Sequence, residues 1–338
     1  MRDSHGEALL NGEEREPVVE ALAPEGPPGG FRSVAVVGLG LMGGSLVQRL
    51  HSFSRPPRII GVDVDSVTGL RVRGDGLVDV FGLPGDGLAG EADLVVLACP
   101  VKAALRFLGE EGRTLRPETV VTDVTGLNNP ILRKASQVGI LDRTVTGHPL
   151  CGSESSGFAA ARRDLYEGAR VWLSADPTVP ESIRAAVAAF WTDVGGGVEW
   201  IDAAEHDETV AWISHLPQIL ASALAGALDS AGYRPRDLGP GGRDMTRLAG
   251  SSPTMWADLL EYSVPATGLG LTSISRALAM IADLLARREM DHIKEFLELT
   301  HAWAHEEDSL AERAEAESRT ADTAPEGPVP VGGGDERP

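Results

Sequence analysis

The stretch SVAVVGLGLMGGSL, residues 33–46, decides the fold. Its first five residues form a short run rich in valine that predicts a buried strand. A G-x-G-x-x-G turn follows, and a helical pattern begins inside it. The first glycine permits the tight turn, the second lets the backbone approach a pyrophosphate, and the third lets helix and strand pack closely. Because a helix amino terminus attracts phosphate, the stretch predicts a dinucleotide site lined by Gly38, Gly40, Leu41, Met42 and Gly43.

The second predicted strand, RIIGVDVD, supplies the acidic residue that such sites use. Its aspartate, Asp63, lies twenty residues beyond Gly43, a distance at which a carboxylate can accept the ribose hydroxyls. No Arg or Lys follows before Arg71, so a 2′-phosphate would meet a carboxylate without a close cation. The pattern favours NAD over NADP. The alternative is a strand-end aspartate in an α/β domain that binds no nucleotide.

Further apolar segments alternate with helical patterns: ADLVVLACPV, TVVTDVTG, RTVTGHP and ARVWLSA. This alternation predicts a Rossmann-like, doubly wound parallel sheet. Ligands of such sheets bind at the carboxyl ends of the strands. We therefore expect Cys99, Pro100 and Asp123 to face the cofactor. His148 should lie at the edge of the same crevice, either as an acid–base group or as a residue that only closes a strand.

From about residue 179 the pattern becomes helical, which predicts an all-helical dimerisation domain after the α/β domain. Residues 203–231 read as one long helix in which Pro217 should cause a kink. This helix and the segment SISRALAMIADLLARR have apolar residues on more helix faces than a single helical bundle can bury. The surplus apolar surface favours a homodimer. The predicted divisions are an acidic disordered tail 1–30, an NAD-binding domain 31–178, a helical substrate and dimerisation domain 179–312, and a second acidic disordered tail 313–338.

Composition narrows the class of protein. The formal net charge of -20 argues against nucleic acid and anionic membrane surfaces as partners. We find no apolar stretch of the roughly 18–20 residues that a membrane span needs, and no secretory signal pattern. Two cysteines without metal-type spacing fit a reducing cytosol. We expect a cytoplasmic protein with a small-molecule substrate and no bound metal.

Four polar residues are candidates for the substrate side, each with an ordinary structural alternative. His215 in WISHLPQIL either fills the core or forms a cavity wall beside Pro217. Arg243 and Arg247 lie four apart, so on a helix they share a face that suits an anionic ligand, or they form a solvated charged face. Glu154 either pairs with an arginine across the cleft or is a solvated loop acid.

The segments VVGLGLMGGSL, DLVVLACPV, VTDVTG, GHPLCGSESSG, EHDETVAWISHLPQ and GGRDMTRLAGSSPTMW, within about residues 33–300, together resemble the prephenate/arogenate dehydrogenases of tyrosine biosynthesis. The resemblance implies NAD-dependent oxidative decarboxylation of prephenate, or arogenate, to 4-hydroxyphenylpyruvate, or tyrosine. In that reaction hydride leaves ring C4 for the nicotinamide and the ring carboxylate leaves as CO2. The resemblance also implies that His148 polarises the C4 hydroxyl and that Arg247 anchors a carboxylate. Arg243, His215 and Gln218 would line the substrate side.

One segment departs from the family pattern D-V-x-S-V-K. Here the sequence reads DVTGLNN, so Gly126 replaces the serine and Asn128 the lysine. Thr125 can supply the missing hydroxyl, or the substrate can carry an amine at C4, as 4-amino-4-deoxyprephenate does. Two further alternatives stay open: a 3-hydroxyacid or imine reductase built on the same plan, and a non-catalytic NAD-binding sensor.

Overall fold

The computed structural model describes residues 26–152 and 155–306. Five parallel strands form the main sheet in the order β3-β2-β1-β4-β5. Short apolar runs bounded by glycine, proline or aspartate produce these strands. Their bounds are β1 Ser33–Val37, β2 Arg58–Val62, β3 Val80–Gly82, β4 Leu94–Leu97 and β5 Val120–Asp123.

Helices cover both faces of this sheet, which explains why its strands are apolar throughout. Along β1, Val34 and Val36 belong to one buried cluster, while Ala35 and Val37 belong to another. The predicted Rossmann-like sheet is confirmed. The helices that connect its strands, and the one that follows β5, are α1 Leu41–His51, α2 Ser66–Gly74, α3 Val101–Glu111 and α4 Asn128–Val138.

Three later strands form a second sheet, β6 Val145–Pro149, β7 Arg170–Ala175 and β8 Gly197–Trp200. β7 runs antiparallel to β6, so the expectation of parallel strands throughout is wrong here. A parallel neighbour needs a crossover connection, whereas the described residues between β6 and β7 contain no α-helix, and their 3₁₀ turn is Phe158–Ala160. Because Thr144 bridges Val121 in parallel, β6 continues alongside β5 and ends at the same edge.

The remaining elements are helical except for β8. Helix α5, Glu181–Val194, packs Phe190 and Trp191 into the cluster that holds Val34 and Val36. The predicted long helix is continuous from Ala203 to Ser230 but contains a π-helical turn at Ala211–His215, just before Pro217. Proline has no N–H to donate to the preceding turn, which accounts for the wider turn there. The helical elements are α6 Ala203–Val210, α7 Leu216–Ser230, α8 Pro240–Thr246, α9 Pro253–Arg287 and α10 Met290–Ala304.

The chain divides into two compact units, one ending at Gly270 and one beginning at Leu271. In the first unit Val264 and Leu269 of α9 are exposed, and in the second unit Leu278, Leu299 and Trp303 are exposed. Within the described residues, Ala203–Ser230 and Pro253–Arg287 are long and apolar enough to cross a membrane, so the expectation that no stretch reaches that length is wrong. A buried core helix meets the same criterion. Residues 1–25 of the first predicted tail, and all of the second, lie outside the described residues.

Candidate active site

In the glycine turn after β1, Gly38 and Gly43 lie against neighbouring backbone atoms, whereas Gly40 has free space beside it. Gly38 has a φ of +100°, and a Cβ there would lie 2.6 Å from the carbonyl oxygen of Ala98. A Cβ on Gly43 would lie 1.8 Å from the carbonyl oxygen of Gly38, so only glycine lets α1 pack this closely on β1. At Gly40, no described atom lies within 4 Å of the position of a Cβ. This is the arrangement that a pyrophosphate needs.

The first turn of α1 is also suited to an anion. Gly40 precedes the helix and provides no side-chain cap for the amide groups of Leu41 and Met42. These amides lie at the amino end of the helix, where its dipole is positive. The buried Tyr166 donates its hydroxyl proton to the carbonyl oxygen of Met42 at 2.9 Å and so fixes this turn.

Asp63 stands beside this turn at the end of β2. Its Oδ2 accepts from the amide of Leu39 at 2.5 Å and its Oδ1 accepts from the amide of Asp65 at 2.8 Å. Both carboxylate oxygens keep lone pairs that can accept further hydrogen bonds. A cleft of about 670 Å³ opens here, lined in part by five predicted residues: Gly38, Gly40, Asp63, Cys99 and Pro100.

The other predicted cofactor residues lie around this cleft rather than in its lining. Leu41, Met42 and Gly43 form the start of α1, and Asp123 is completely buried at the end of β5. Burial raises the pKa of Asp123 to about 7. Burial, with the nearby Asp123 and Asp63 carboxylates, also raises the pKa of the Cys99 thiol to about 12, so that thiol is not a nucleophile at neutral pH.

His148, at the end of β6, begins a chain of hydrogen bonds to a carboxylate. Its Nδ1 lies 2.9 Å from Nε2 of His206, and Nδ1 of His206 lies 2.8 Å from Oδ1 of Asp207. Asp207 accepts the amides of Asn128 and Asn129 at 2.8 and 3.0 Å. These amides begin α4, whose preceding residue provides no side-chain cap. Asp207 therefore caps α4 from a distant helix.

His148 is a neutral imidazole at neutral pH. Burial lowers its pKa to about 3, assisted by the neighbouring His206 and His215 and opposed by Asp207. A neutral imidazole whose Nδ1 is already engaged has only Nε2 left to bond a ligand. The structure thus places a neutral imidazole, whose Nε2 donates or accepts according to its tautomer, at the carboxyl edge of the nucleotide-binding sheet.

The segment that departs from the family pattern surrounds this histidine. Gly126 has a φ of +79°, and a Cβ there would lie 3.4 Å from Nε2 of His148. Thr125 donates its hydroxyl proton to Oδ1 of Asp123 at 2.7 Å, so toward a substrate it can act as an acceptor only. Asn128 is completely buried and donates its amide to Ser174 at 2.8 Å. A lysine at 128 would place its charge in this dry region.

Several predicted substrate residues lie together on the helical side. His215 is buried, its ring stands edge-on to Trp256 at 5.9 Å, and burial lowers its pKa to about 4. Gln218, also buried, donates to the carbonyl oxygen of Leu248 at 2.9 Å, next to Arg247. His215 Nδ1, Gln218 Oε1 and Trp256 Nε1 are buried without a hydrogen-bond partner among the described residues. Buried polar atoms of this kind call for a ligand or water.

The two arginines and the predicted loop acid have different positions. Arg243 lies on α8, and Arg247 follows that helix at the start of a 3₁₀ turn; both are exposed. Glu154 lies outside the described residues. The arginines' role toward a carboxylate, like that of Glu154, stays a prediction.

Sequence reasoning missed His206, Asp207 and Trp256. The one available signal was position: His206 lies one turn before the buried Val210, on the inward face of α6, while Glu205 and Glu208 are exposed. That spacing distinguishes an inward histidine from an outward one, but it does not indicate which residue the histidine contacts.

A dinucleotide cleft and a neutral, half-buried histidine at the same sheet edge define a pyridine-nucleotide oxidoreductase. The chain matches the family model for the prephenate dehydrogenase nucleotide-binding domain over residues 48–200, and the model for the prephenate dehydrogenase dimerization domain over residues 202–299. It belongs to the prephenate dehydrogenase family, so the predicted family and enzyme class are confirmed.

Individual relatives agree with this assignment. The chain is 26% identical to the cyclohexadienyl dehydrogenase of Zymomonas mobilis over 78% of its own length and 92% of the relative. It is 29% identical to the prephenate dehydrogenase of Lactococcus lactis over 79% and 75% of the two lengths. A crystal structure of prephenate dehydrogenase from A. aeolicus, in complex with hydroxyphenyl propionate and NAD+, is 27% identical with a TM-score of 0.74, over 81% of this chain and 98% of that one.

Proposed function

We propose that this protein oxidatively decarboxylates prephenate to 4-hydroxyphenylpyruvate with NAD as the hydride acceptor. The observation that carries the proposal is the environment of His148. It is a neutral imidazole whose Nδ1 contacts His206 and whose Nε2 lies beside Gly126, where no side chain intervenes. The predicted cofactor, NAD, is confirmed by the match to the family's nucleotide-binding domain and by the NAD+ in the A. aeolicus relative.

The residues of the cleft fit this cofactor. The space above Gly40 and the uncapped first turn of α1 would receive the pyrophosphate. Asp63 would accept the ribose hydroxyls, and Cys99 and Pro100 would border the nicotinamide end. When bound, NAD supplies the electrophilic ring carbon that takes the hydride.

His148 and the residues around it accept the substrate proton and bind the substrate. Its Nε2 accepts the proton of the C4 hydroxyl while the C4 hydride leaves, and the loss of CO2 makes the ring aromatic. Arg247 anchors a carboxylate of the substrate, while His215 and Gln218 line its other side. Because aromatisation drives the reaction, the protein mainly supplies orientation and a proton acceptor.

A second candidate substrate is favoured by one observation. Gly126 leaves no side-chain hydroxyl at the Nε2 end of His148, where the family pattern has a serine. An amine at C4, as in 4-amino-4-deoxyprephenate, can occupy this region and donate to Nε2. Arogenate, which keeps the C4 hydroxyl and differs in its side chain, is the third compound to compare.

We also propose a cytoplasmic homodimer. The match to a dimerization domain covers α9 and most of α10, and the exposed Leu269 and Val264 of α9 provide apolar surface for a partner. The predicted boundary between the NAD-binding and helical domains, at residue 178, stays a prediction.

The test is NADH formation by the purified full-length chain, supplied with NAD and one of the three compounds in parallel. We expect NADH and CO2 in equal amounts from prephenate. Turnover of the amine alone would replace prephenate with the second candidate. Binding of NAD without turnover of any compound would overturn the enzymatic proposal in favour of a sensor.

A further inference from the structure

His148 does not stand alone: it is the half-buried outer member of a chain of three hydrogen-bonded residues. His206 is completely buried and contacts His148 with one ring nitrogen and Asp207 with the other, at 2.9 and 2.8 Å. The rings of Trp172 and His206 pack nearly at right angles, with centroids 5.6 Å apart. The ring of His206 therefore has a fixed orientation.

The hydrogen-bond partners of Asp207 determine which ring nitrogens of His206 and His148 carry protons. Asp207 accepts two backbone amides at the amino end of α4, an environment that favours a carboxylate anion. An anion can only accept, so Nδ1 of His206 must carry a proton. In neutral His206 the other nitrogen, Nε2, is then an acceptor, and the proton between the two histidines belongs to Nδ1 of His148. This leaves Nε2 of His148 with a lone pair.

We propose that His206 and Asp207 are positioning residues that hold His148 in its Nδ1–H tautomer, with the Nε2 lone pair directed at the substrate. In the other tautomer Nε2 would carry the proton and could not accept one. The proposal deepens the proposed function and rests on it for its kinetic consequences, whereas the tautomer itself is a property of the free protein.

The other charged and titratable groups near His148 do not compete for its Nδ1. From β5, Asp123 accepts from Thr125. From the π turn, His215 packs its ring against Trp256, and its protonation would lower the pKa of His148. From β8, Glu199 accepts the indole N–H of Trp172 at 3.1 Å. Among the described residues, the hydrogen-bond partner of His148 Nδ1 is Nε2 of His206.

This hydrogen-bonded chain also explains how the half-buried imidazole of His148 can accept a proton during the reaction. When Nε2 takes the hydroxyl proton, the O–H bond breaks, an N–H bond forms, and His148 becomes an imidazolium. Burial alone disfavours that charge. Asp207, which reaches His148 through His206, raises the pKa of His148 and stabilises the charge as it develops.

The first test is ¹⁵N NMR of histidine-labelled full-length protein without substrate, with the His148 signals assigned by comparison with His148→Asn. We expect a protonated Nδ1 and an unprotonated Nε2 in the wild-type protein. We expect a mixture of tautomers in His206→Phe, which keeps the ring contact with Trp172 but has no acceptor. Protonation of Nε2 in the wild-type protein would overturn the proposal, whether or not the protein turns over prephenate.

The second test compares His206→Phe with His206→Gln, whose amide oxygen can replace the Nε2 acceptor. We expect kcat to fall about 10- to 100-fold in the phenylalanine variant, part of the effect of a positioned proton acceptor, with KM and NAD affinity unchanged. We expect the glutamine variant to recover most of kcat. Equal loss in both variants, or normal kcat in His206→Phe, would contradict the proposal.

Discussion

Gly40 and Gly43 belong to one glycine turn, yet alanine at the two positions should have opposite effects. At Gly43 the added Cβ would lie 1.8 Å from the carbonyl oxygen of Gly38, a distance that must lengthen to about 3.0 Å before the contact is tolerable. At Gly40 the methyl group meets no described atom within 4 Å, and the φ of −77° is ordinary for alanine. Gly43→Ala should therefore damage the fold, and Gly40→Ala the cofactor site.

The magnitudes follow from these contacts. Forcing α1 away from β1 disturbs the completely buried Val36 and Leu46, and overpacking of this kind costs about 1–3 kcal/mol or more. Gly40→Ala should change the free energy of unfolding by less than about 0.5 kcal/mol. Its methyl group would displace the pyrophosphate from the loop. Loss of one hydrogen bond to a charged group, about 1.5–3 kcal/mol, weakens NAD binding about 10- to 100-fold.

Urea unfolding and NADH fluorescence titration measure the two quantities on the same preparations. Each variant serves as the control for the other, since both add one methyl group to the same loop. A Gly40→Ala protein that binds NADH as the wild type does would mean that the cofactor does not cross Gly40. A Gly43→Ala protein of normal stability would refute the packing explanation for the third glycine.

Three other changes test separate parts of the molecule. Arg247→Ala should raise KM about 10- to 100-fold through loss of a carboxylate anchor, and steady-state kinetics with an unchanged KM would place that arginine elsewhere. Below pH 6.5 the wild-type protein should lose stability because burial holds the pKa of His148 at about 3 and of His215 at about 4, so only the unfolded chain takes up these protons. Urea unfolding between pH 4.5 and 6.5 should show a slope smaller by up to about 1.4 kcal/mol per pH unit in His148→Asn; an unchanged slope would contradict the burial effect. Leu269→Glu on α9 should produce monomers in sedimentation. The control Leu70→Glu on α2, also at an exposed leucine, should stay dimeric. A dimeric Leu269→Glu protein would exclude that face of α9 as the interface.

The parts of the fold that depend on neighbouring residues in the chain could be predicted from the sequence. The glycine turn follows β1 directly, and the tightest contact that requires glycine at position 43 is with Gly38, five residues earlier. The apolar strands of the main sheet are likewise local signals, because burial on both faces removes the polar positions from each run. His148 could be placed at the same edge because it lies near the end of a similar run, β6, which continues alongside β5.

The parts that depend on distant contacts could not be predicted. The antiparallel direction of β7 goes with a connection whose described residues contain no crossover helix. The apolar run of β7 carries no information on direction. The link between Asp207 and the start of α4 joins residues 79 positions apart. In the sequence EHDETV, Asp207 resembles any exposed acid of a helix, and the uncapped α4 that it completes becomes visible only in three dimensions.

The most direct test of the central claim is to measure, with prephenate and NAD, the NADH and CO2 formed by wild-type protein and by His148→Asn. We predict equal amounts of both products from the wild type. We predict a kcat about 10² to 10⁴ lower in the variant, with NAD binding unchanged. A variant with near-normal kcat, or a wild-type protein that binds NAD and forms no NADH, would contradict the account.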